Sequence, residues 1–472
     1  MKLKTKADLA MGAFLCACLV PSVGMFLLPE EPAAANQTLA QPPSLTAEDG
    51  GVNFQVLDEV TDYVADHFAL RQRLITANSA LESLVFQTSA QDSVLMGRDG
   101  WLFYRETLDD YLHTDPLTGR ELFSAARTLA LLTEYAQNHG ASLTFTVAPN
   151  KASLYPQYLP YVGRPLEGED DIDRLVPLLE EQGVAYADLF SPFRAREQVL
   201  YHAADSHWTR RGAALAHDTL AGALGLESRT EWFTRPGRTA RTHRGDLYQM
   251  VYPTGSALEE ETEFDQPFTF TYVRPIRSAE DQRIQTENSA RTGSLLMFRD
   301  SFGNTLYPFM AEEFGQAVFS RSMPYQMSLL EETGADTVVI ELVERNLDYL
   351  VDNPPIFPAP LRQLTGEPPA GEAAARAAAS EDGRLEGHIR LEGVLSGPAD
   401  ENSPIYVQLG GALYEASPVG AVEDEEYPFT VEDGEFPFTL YVPEDSALDD
   451  IRVLYLLDGQ VLQAVRTEFS HT

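Results

Sequence analysis

The sequence predicts an α/β fold in which a doubly wound parallel sheet is followed by a C-terminal β-sandwich. Between residues 121 and 343, short apolar strands alternate with helical segments, as in a parallel sheet covered on both faces. From residue 384 the pattern changes to short alternating strands separated by acidic, Gly or Pro-containing turns, which is typical of a small β-sandwich. The length of 472 residues also exceeds that of one ordinary domain.

The N-terminal segment is apolar and follows a lysine-bearing start, MKLKT. The run Leu9–Leu28 covers 20 residues, which is long enough to span a bilayer, and its basic flank is expected to stay in the cytoplasm. Residues 1–35 are therefore predicted to be a single-pass cell-membrane anchor that leaves the rest of the chain outside the cytoplasm. Ala33–Ala35 also suits signal-peptidase cleavage, so the alternative is a protein secreted after removal of a signal peptide. Residues 36–52, rich in Gln, Pro, Ser and Thr, are predicted to be a tether.

Residues 53–353 are predicted to form the α/β domain. Apolar residues recur at helical spacing from Asn53 to Phe86, which indicates one or two amphipathic helices. An irregular insertion is expected at 226–292. Further helices are predicted at 121–139, 170–182, 209–224, 305–314 and 326–333, and strands at 143–149, 184–190, 294–298, 316–320 and 337–343.

Residues 354–383 are rich in Pro and Ala and show no apolar strand pattern, so we expect a linker, or a linker with a helix, there. The segments HIRLEGVL, IYVQLGG, FPFTLYVP and IRVLYLLDG follow it. Their alternation predicts that residues 384–472 form the β-sandwich. We expect this domain to serve substrate or partner binding and not the chemistry.

Charge and cysteine content exclude several classes of function. Lys plus Arg total 34 against 72 Asp plus Glu, a net charge of −38, which repels nucleic-acid phosphates. Nucleic acid is therefore not an expected partner. Cys16 and Cys18 are the only cysteines and lie in the apolar segment, so the remaining chain offers no disulfide, Cys nucleophile or thiolate metal site. No metal and no cofactor are expected, since His202 and His207 have no third ligand nearby in sequence.

The segment FRDSFGN at 298–304 places a serine between an apolar strand and a helix. A side chain at that position is raised out of the carboxyl edge of the sheet, which makes Ser301 a candidate nucleophile. The backbone N–H of neighbours such as Gly303, and the amide of Asn304, are candidates to stabilise an oxyanion. The alternative is that Ser301 only caps the helix.

The segment DSHWT at 205–209 lies in a loop before another helix. A spacing of two in an extended chain puts Asp205 and His207 on the same side. Asp205 would then orient the imidazole, whose other nitrogen accepts the serine proton. The alternative is that Asp205 caps the helix while His207 and Trp208 pack in the core.

Four further residues are candidates for oxyanion or substrate binding: Asn150, Lys151, Arg299 and Tyr307. Asn150 and Lys151 end a predicted strand at the sheet edge where ligands bind, and a structural role in the loop is the alternative. Arg299 precedes the serine, where a salt bridge to Asp300 would position the loop. Tyr307 lies in the following helix, where an aromatic side chain also fits the core.

Five segments, in order along the chain, resemble a known family: GRDGWLFY, VAPNKASLYP, ADSHWT, GDLYQM and FRDSFGN. They cover roughly residues 54–345 and resemble the DHHW and AlgX/AlgJ-like SGNH hydrolase superfamily of bacterial polysaccharide O-acetylation. The resemblance implies that Asp205, His207 and Ser301 form a catalytic triad. It also implies a permuted SGNH-like fold, because Asp and His precede the serine, the reverse of common SGNH enzymes. Residues 384–472 lie outside the resemblance.

The resemblance implies a serine-dependent O-acetyltransferase of the bacterial cell envelope, located outside the cytoplasm. It would acetylate a cell-surface or extracellular polysaccharide through an acyl-serine intermediate, with a membrane-bound O-acyltransferase as acetyl donor. Two alternatives stay open: a carbohydrate esterase or deacetylase that uses the same triad, and a non-catalytic envelope glycan-binding protein. Transfer and hydrolysis differ in cleft shape and water exclusion, which the sequence does not separate.

Overall fold

The structure, a computed structural model, describes residues 8, 10–16, 19, 23–24, 39–46, 51–226, 229–380, 382–420 and 427–471. Most of the segment at 1–35 predicted to be an anchor or signal peptide, and part of the tether at 36–52, lie outside the described residues. Among the helices that are described, none combines the length and the apolar character needed to cross a bilayer.

The element bounds are as follows. The α-helices span Val56–His67, Arg71–Phe86, Thr107–Leu112, Gly119–Asn138, Lys151–Leu154, Asp171–Glu181, Phe190–Arg194, Arg210–Ala223, Asp246–Val251, Gly303–Ala311, Ser328–Thr333 and Tyr349–Asp352. The first strands are β1 (Val94–Met96), β2 (Leu102–Tyr104), β3 (Ser142–Ala148), β4 (Ala185–Ala187), β5 (Gly237–His243), β6 (Glu259–Phe264), β7 (Thr271–Tyr272), β8 (Arg283–Glu287), β9 (Ser294–Phe298), β10 (Gln316–Ser320) and β11 (Thr337–Val343). The later strands are β12 (Leu361–Arg362), β13 (Ala374–Ser380), β14 (His388–Ser396), β15 (Ile405–Leu409), β16 (Ala412–Glu415), β17 (Ser417–Pro418), β18 (Phe436–Pro443), β19 (Ile451–Leu457), β20 (Gln460–Gln463) and β21 (Arg466–His471).

The α/β part is built on a seven-stranded sheet in the order β4-β3-β11-β9-β10-β8-β7. The first five strands in that order are parallel to their neighbours, and β8 and β7 add an antiparallel edge. Apolar clusters cover the sheet on both faces, which explains the continuous apolar runs of the central strands. The predicted doubly wound α/β fold is thus confirmed, and β9, β10 and β11 have the predicted bounds.

Strand direction and helix capping place the segments singled out in the sequence. Parallel strands have their carboxyl ends at the same edge of a sheet, so the turns after β3 and β9 lie on one side. Thr209 caps the helix Arg210–Ala223, as predicted, and its hydroxyl accepts the N–H of Gly212 at 3.1 Å. This cap fixes the point at which the DSHWT loop joins its helix.

The insertion at 226–292 forms an antiparallel pair, β5 and β6, and supplies β7 and β8 to the main sheet. The pair packs against the DSHWT loop. On β6, the carboxylate of Glu259 accepts the N–H groups of Ala203 and Ala204 at 2.7 and 3.0 Å. These contacts bring the end of β5, at His243, beside the loop.

The C-terminal part is a β-sandwich of two five-stranded sheets. One sheet has the order β12-β16-β15-β19-β20 and the other β17-β18-β14-β13-β21. Both contribute to one apolar core, in which Val407, Phe438 and Val453 are fully buried. A C-terminal β-rich fold was predicted, and the structure contains it.

The first strands of the sandwich lie within the segment that was expected to be a linker. Residues 354–383 contain β12 and β13, and β13 lies between β14 and β21 in its sheet. The inward positions of β13 are alanines, among them Ala375 and Ala377, which are almost fully buried. Alanine is depleted in strands, so the residue types of β13 do not predict the strand that the surrounding sheet stabilises. The expectation of a linker without strands was wrong.

A cluster of charged side chains around the buried Glu415 joins the sandwich to the α/β part. The side chain of Glu415 in β16 is fully buried. It accepts hydrogen bonds from Arg127, on the helix Gly119–Asn138, and from Arg362, each at 2.6 Å. Arg362 also makes a bidentate pair with Glu134 on that helix, at 2.6 Å for both bonds. One carboxylate therefore holds an arginine from each side of the interface.

Replacement of Glu415 by Gln should lower the free energy of unfolding by about 1.5–3 kcal/mol, because Arg127 loses its carboxylate partner and Arg362 keeps only its pair with Glu134. The measurement is a urea titration of the purified protein. The matched control is Asp450→Asn, since Asp450 pairs with Arg452 at 3.3 Å on the exposed surface of the same sandwich. That change should cost less than about 1 kcal/mol. Equal losses for the two variants would show that the Glu415 cluster does not stabilise the interface.

Candidate active site

The DSHWT loop is closed at its base and bent at its centre. A bridge between Tyr201 and Trp208 brings the two ends of the loop together, and the N–H of His202 bonds the carbonyl of His207 at 3.2 Å. Inside the loop, the Asp205 carboxylate accepts the backbone N–H of His207 at 2.9 Å. This Asx-type turn supplies the bend that a direct contact between Asp205 and His207 requires.

Asp205, His207 and Ser301 form a continuous chain of hydrogen bonds. Oδ1 of Asp205 lies 2.7 Å from Nδ1 of His207, and Nε2 of His207 lies 2.8 Å from Oγ of Ser301. Ser301 stands on the turn between β9 and the helix Gly303–Ala311. The structure thus brings together the three residues that the sequence predicted, in the order in which a carboxylate orients a base and the base accepts a hydroxyl proton.

The carboxylate of Asp205 is almost completely buried, with 5% of its side chain exposed. Its Oδ2 accepts Nε2–H of His243 at 2.7 Å and the N–H of Asp246 at 3.0 Å. Burial alone would raise the pKa of Asp205. Hydrogen bonds to His207 and His243, together with their charges, outweigh burial and hold the pKa well below its usual value.

His207 is surrounded by acceptors on its Nδ1 side. Besides Asp205, Nδ1 lies 3.1 Å from Oγ of Ser206 and 3.4 Å from the Asp246 carboxylate. Burial would lower the pKa of His207, but the hydrogen bonds and charges of Asp205 and Asp246 outweigh it and raise the pKa above its usual value. The imidazolium form, which arises when His207 accepts a proton, is therefore stabilised.

Gly245 and Asp246, from the GDLYQM segment, support the loop from the insertion side. The Asp246 carboxylate accepts the N–H of Ser206 at 2.8 Å. A Cβ on Gly245 would lie 2.1 Å from the carbonyl oxygen of Ala204, so only glycine permits this close approach. The turn therefore acts on the loop that carries Asp205 and not on a separate surface.

Lys151 also binds the DSHWT loop, through its backbone carbonyls. Its side chain is buried, and Nζ donates to the carbonyls of His202, Ala203 and Asp205 at 3.1, 3.0 and 2.5 Å. Burial lowers the pKa of Lys151 to about 8, although nearby carboxylates oppose this. It is the only lysine after residue 6, and an ammonium presents three donors from one point, which a planar guanidinium does not. All three donors are used, so Lys151 is not an oxyanion or substrate ligand in this arrangement.

Asn150 is also committed to internal contacts. Its backbone N–H donates to Glu344 at 2.7 Å, and its side-chain amide donates to Asp110 at 2.6 Å. The residue is fully buried. Its backbone N–H and its side-chain amide are therefore bonded to carboxylates, which favours the structural alternative.

Arg299, Gly303 and Asn304 fix the shape of the serine turn. The buried guanidinium of Arg299 donates to Oδ1 of Asn304 at 2.6 Å and to the carbonyl of Ala279 at 2.6 Å, and burial lowers its pKa to about 10. A Cβ on Gly303 would meet the Arg299 side chain at 2.6 Å. The amide nitrogen of Asn304 donates to the Glu280 carboxylate at 2.6 Å. Arg299 and the Asn304 side chain are therefore bonded to neighbours that fix this turn.

The expected salt bridge between Arg299 and Asp300 does not form. Arg299 donates to the backbone carbonyl of Asp300 at 3.2 Å. The Asp300 carboxylate accepts the N–H groups of Phe302 and Val343 at 2.8 and 2.7 Å, which ties the serine turn to the end of β11. A carboxylate bonded to two backbone donors has no need of the guanidinium.

Tyr307 belongs to the core, and two backbone N–H groups near the serine lie without an acceptor in the part of the chain that the structure describes. Tyr307 is buried, and its hydroxyl bonds that of Tyr272 at 2.8 Å; burial raises its pKa above the usual range. Among the contacts of the described residues, the N–H groups of Ser301 and Gly303 have no hydrogen-bond acceptor. N–H groups without an acceptor at the start of a helix can stabilise a negative charge that develops nearby.

An open cleft of about 310 Å³ lies beside the serine turn. One wall is the first turns of the helix Gly303–Ala311, and the other is the insertion. The lining residues are Arg210, Thr242, His243, Glu261, Phe268, Asn304, Thr305, Pro308 and Phe309. Aromatic and proline surfaces together with a few polar groups are typical of ligand sites.

Among the described residues, two groups of side chains have ligand atoms close enough for a metal ion: His202, His243 and Glu261, and Asp205, His207 and Asp246. The rings of His202 and His243 are stacked, with centroids 3.7 Å apart and planes inclined by 11°. Their in-plane lone pairs therefore run side by side and do not converge as ligation requires. The second group is the hydrogen-bonded base itself. We interpret both groups as hydrogen-bonded clusters.

Sequence reasoning missed two residues of the site. His243 was not singled out, and Asp246 entered only as part of the GDLYQM segment that carries the resemblance. The signal for Asp246 was its place in the GDLYQM segment, whereas a single histidine near the end of an irregular insertion carries no pattern. Both reach Asp205 through contacts between distant parts of the chain.

The fold and this site define a class: an α/β domain with an SGNH-type Ser–His–Asp arrangement. Residues 94–291 match the family described as "SGNH hydrolase-like domain, acetyltransferase AlgX". The chain is 31% identical to the "Probable alginate O-acetylase AlgJ" of Pseudomonas putida over 203 residues, which are 40% of this chain and 50% of that protein. The Pseudomonas aeruginosa protein of the same description is 28% identical over 187 residues, 37% of this chain and 44% of the relative.

Two solved structures complete the comparison. The O-acetyltransferase domain of Pseudomonas putida AlgJ has a TM-score of 0.36 at 21% identity and covers 54% of this chain and 92% of that one. Pseudomonas aeruginosa AlgX has a TM-score of 0.37 at 16% identity and covers 78% and 90%. The chain spans about half the length of the curated relatives it matches. Residues 94–291 are thus similar to the SGNH hydrolase-like domain of the AlgX family model, and part of the chain is similar to the AlgJ sequences.

Replacement of Lys151 by Met should lower the free energy of unfolding by about 2–4 kcal/mol, because three carbonyls of a buried loop lose their donor. The measurement is urea unfolding. As an independent check on the native protein, an amine-acylating reagent should leave Lys151 unmodified, as judged by peptide mass spectrometry. Urea-unfolded protein is the control and should react fully. Equal labelling of native and unfolded protein would contradict the buried position.

Proposed function

We propose that this chain is an extracytoplasmic, serine-dependent O-acetyltransferase that acts on a cell-surface or extracellular polysaccharide. One observation carries the proposal: the unbroken hydrogen-bond chain from Asp205 through His207 to Oγ of Ser301, with distances of 2.7 and 2.8 Å. If Ser301 only capped its helix, it would not need a histidine partner. If His207 only packed in the core, its ring would not need a bond to the buried carboxylate of Asp205.

The proposed reaction has two steps. Oγ of Ser301 attacks the acetyl carbonyl of the donor while Nε2 of His207 accepts its proton, and His207 returns that proton to the departing donor group. The acetyl group is then an ester of Ser301. An acceptor hydroxyl attacks this ester, His207 accepts the hydroxyl proton, and Ser301 leaves as its alcohol. The N–H groups of Ser301 and Gly303 would stabilise the oxyanion in both steps.

The acceptor class and the donor are part of the proposal. The AlgJ relatives are described as probable alginate O-acetylases, which supports a polysaccharide acceptor without identifying it as alginate. No acetyl donor such as acetyl-CoA is expected outside the cytoplasm, so we propose a membrane-bound O-acyltransferase as the source. The open cleft beside the serine turn suits a saccharide acceptor.

Trapping of the acyl enzyme tests the function. With 4-nitrophenyl acetate as donor, the full-length protein should carry acetyl on Ser301, detected by peptide mass spectrometry, and should acetylate added oligosaccharides. Ser301→Ala, His207→Ala and Asp205→Asn should each lower turnover by roughly two to six orders of magnitude, with the smallest loss for Asp205. The matched control is Ser294→Ala, at the opposite end of β9, which should keep its activity.

The same experiment separates the alternatives. An esterase or deacetylase would release acetate at the same rate whichever oligosaccharide is added. It would also form no acetylated glycan. Full turnover by pure Ser301→Ala would show that Ser301 is not the nucleophile. The non-catalytic glycan-binding interpretation would then take its place.

The extracytoplasmic location is proposed from the apolar run Leu9–Leu28 and its basic flank. Protease added to intact cells from which any wall has been removed should cleave the chain after residue 35. Protection of the chain until the membrane is breached would contradict the location. A cytoplasmic marker protein in the same sample controls for leakage.

A further inference from the structure

Asp205 is shared by two histidines that approach its two oxygens. Oδ1 lies 2.7 Å from Nδ1 of His207, and Oδ2 lies 2.7 Å from Nε2 of His243. His207 faces Ser301, whereas His243 comes from the end of β5 in the insertion and faces the open cleft. A triad needs only the first of these contacts, so the second requires its own explanation.

His243 is placed to change its charge in contact with the buried carboxylate. Its side chain is 30% exposed, while that of Asp205 is 5% exposed, so solvent protons reach the outer histidine. The ring rests against His202 at 3.7 Å, and Nε2 of His202 lies 3.1 Å from Glu261.

The charged and titratable groups that face His243 come from several elements. They are Asp205, His207 and His202 from the loop, Glu259 and Glu261 from β6, Asp246 from the following turn and Arg210 from the adjoining helix.

We propose that His243 is a positioning residue that shares the Asp205 carboxylate with His207, so that the catalytic base titrates in two coupled steps. The inference rests on the proposed function of Ser301 and His207 and deepens it. A protonated His243 would neutralise part of the charge that orients His207, and a neutral His243 would leave that charge available to His207.

The sign of the effect follows from the geometry. Burial would lower the pKa of His243, but its hydrogen bond to Asp205, and the charges of Asp205, Glu261 and Glu259, raise it above the usual value. Two imidazoles on one carboxylate repel each other when both are charged, so each proton makes the next harder to add. His243 in its cationic form therefore lowers the pKa of His207.

The test is the pH dependence of kcat/KM for 4-nitrophenyl acetate. In the parent protein the acid limb should fall in two separate one-proton steps. His243→Gln keeps a side-chain N–H donor but cannot titrate. It should show a one-proton limb whose midpoint lies roughly half a pH unit or more higher, with a plateau within about threefold of the parent. His243→Leu removes the donor as well and should lower the plateau by about tenfold or more.

His202→Gln is the matched control, because His202 stacks on His243 but does not contact the Asp205 carboxylate. It should retain the two-step acid limb of the parent. The same limb in the parent and in His243→Gln, or the same shift in His202→Gln and His243→Gln, would overturn the inference, since a merely structural cluster would behave in that way.

A second measurement does not depend on activity. In full-length Ser301→Ala labelled with ¹⁵N-histidine, the ring nitrogens of His207 should report two protonation steps, the second at the pH where His243 titrates. A single step for His207, independent of His243, would overturn the inference even if the enzyme is active. If the parent shows no acyl transfer but His207 shows both steps, the proposed function fails and the shared carboxylate stands.

Discussion

The buried carboxylate of Asp205 is the group on which the rest of the site depends. An ionised carboxylate away from water costs several kcal/mol unless donors satisfy its oxygens. Here four N–H groups do so: the backbone and ring of His207, the ring of His243 and the backbone of Asp246. These donors belong to the DSHWT loop, to the end of β5 and to the turn after it. All three segments must therefore be in place before the base is oriented.

The same requirement explains the residues around the loop. A buried loop leaves backbone carbonyls without the partners that a helix or sheet would give them. Lys151 satisfies three of them with one ammonium, at the cost of burying a cation among aromatic side chains, with Nζ 5.0 Å from the ring centre of Phe103. Gly245 then allows the insertion to approach the Ala204 carbonyl. Rigidity of the base thus comes from backbone contacts as much as from the side chains of the triad.

The serine turn and the sandwich are fixed in a comparable way. The Asp300 carboxylate ties the turn to the end of β11, so Ser301 is held by the sheet itself. In the C-terminal part, Glu415 binds Arg127 and Arg362 across the interface, and the segment between the two parts is folded into β12 and β13. The sandwich is therefore packed against the helix Gly119–Asn138, which limits its freedom to move relative to the sheet.

The sequence by itself determined the α/β alternation, the strands β9, β10 and β11, and the candidacy of Ser301, His207 and Asp205. Apolar periodicity is a local property, and the carboxyl ends of parallel strands meet at one edge, so these conclusions need no distant contact. Only the tertiary structure decided which partners surround Asp205, because His243 lies 38 residues away and Ser301 lies 94 residues from His207. The tertiary structure also decided that Lys151 and Asn150 are buried and that the amide of Asn304 bonds a neighbouring side chain. It likewise decided that the alanines of β13 form a strand. Each of these outcomes depends on hydrogen-bond partners and packing from remote segments, which residue type and spacing do not encode.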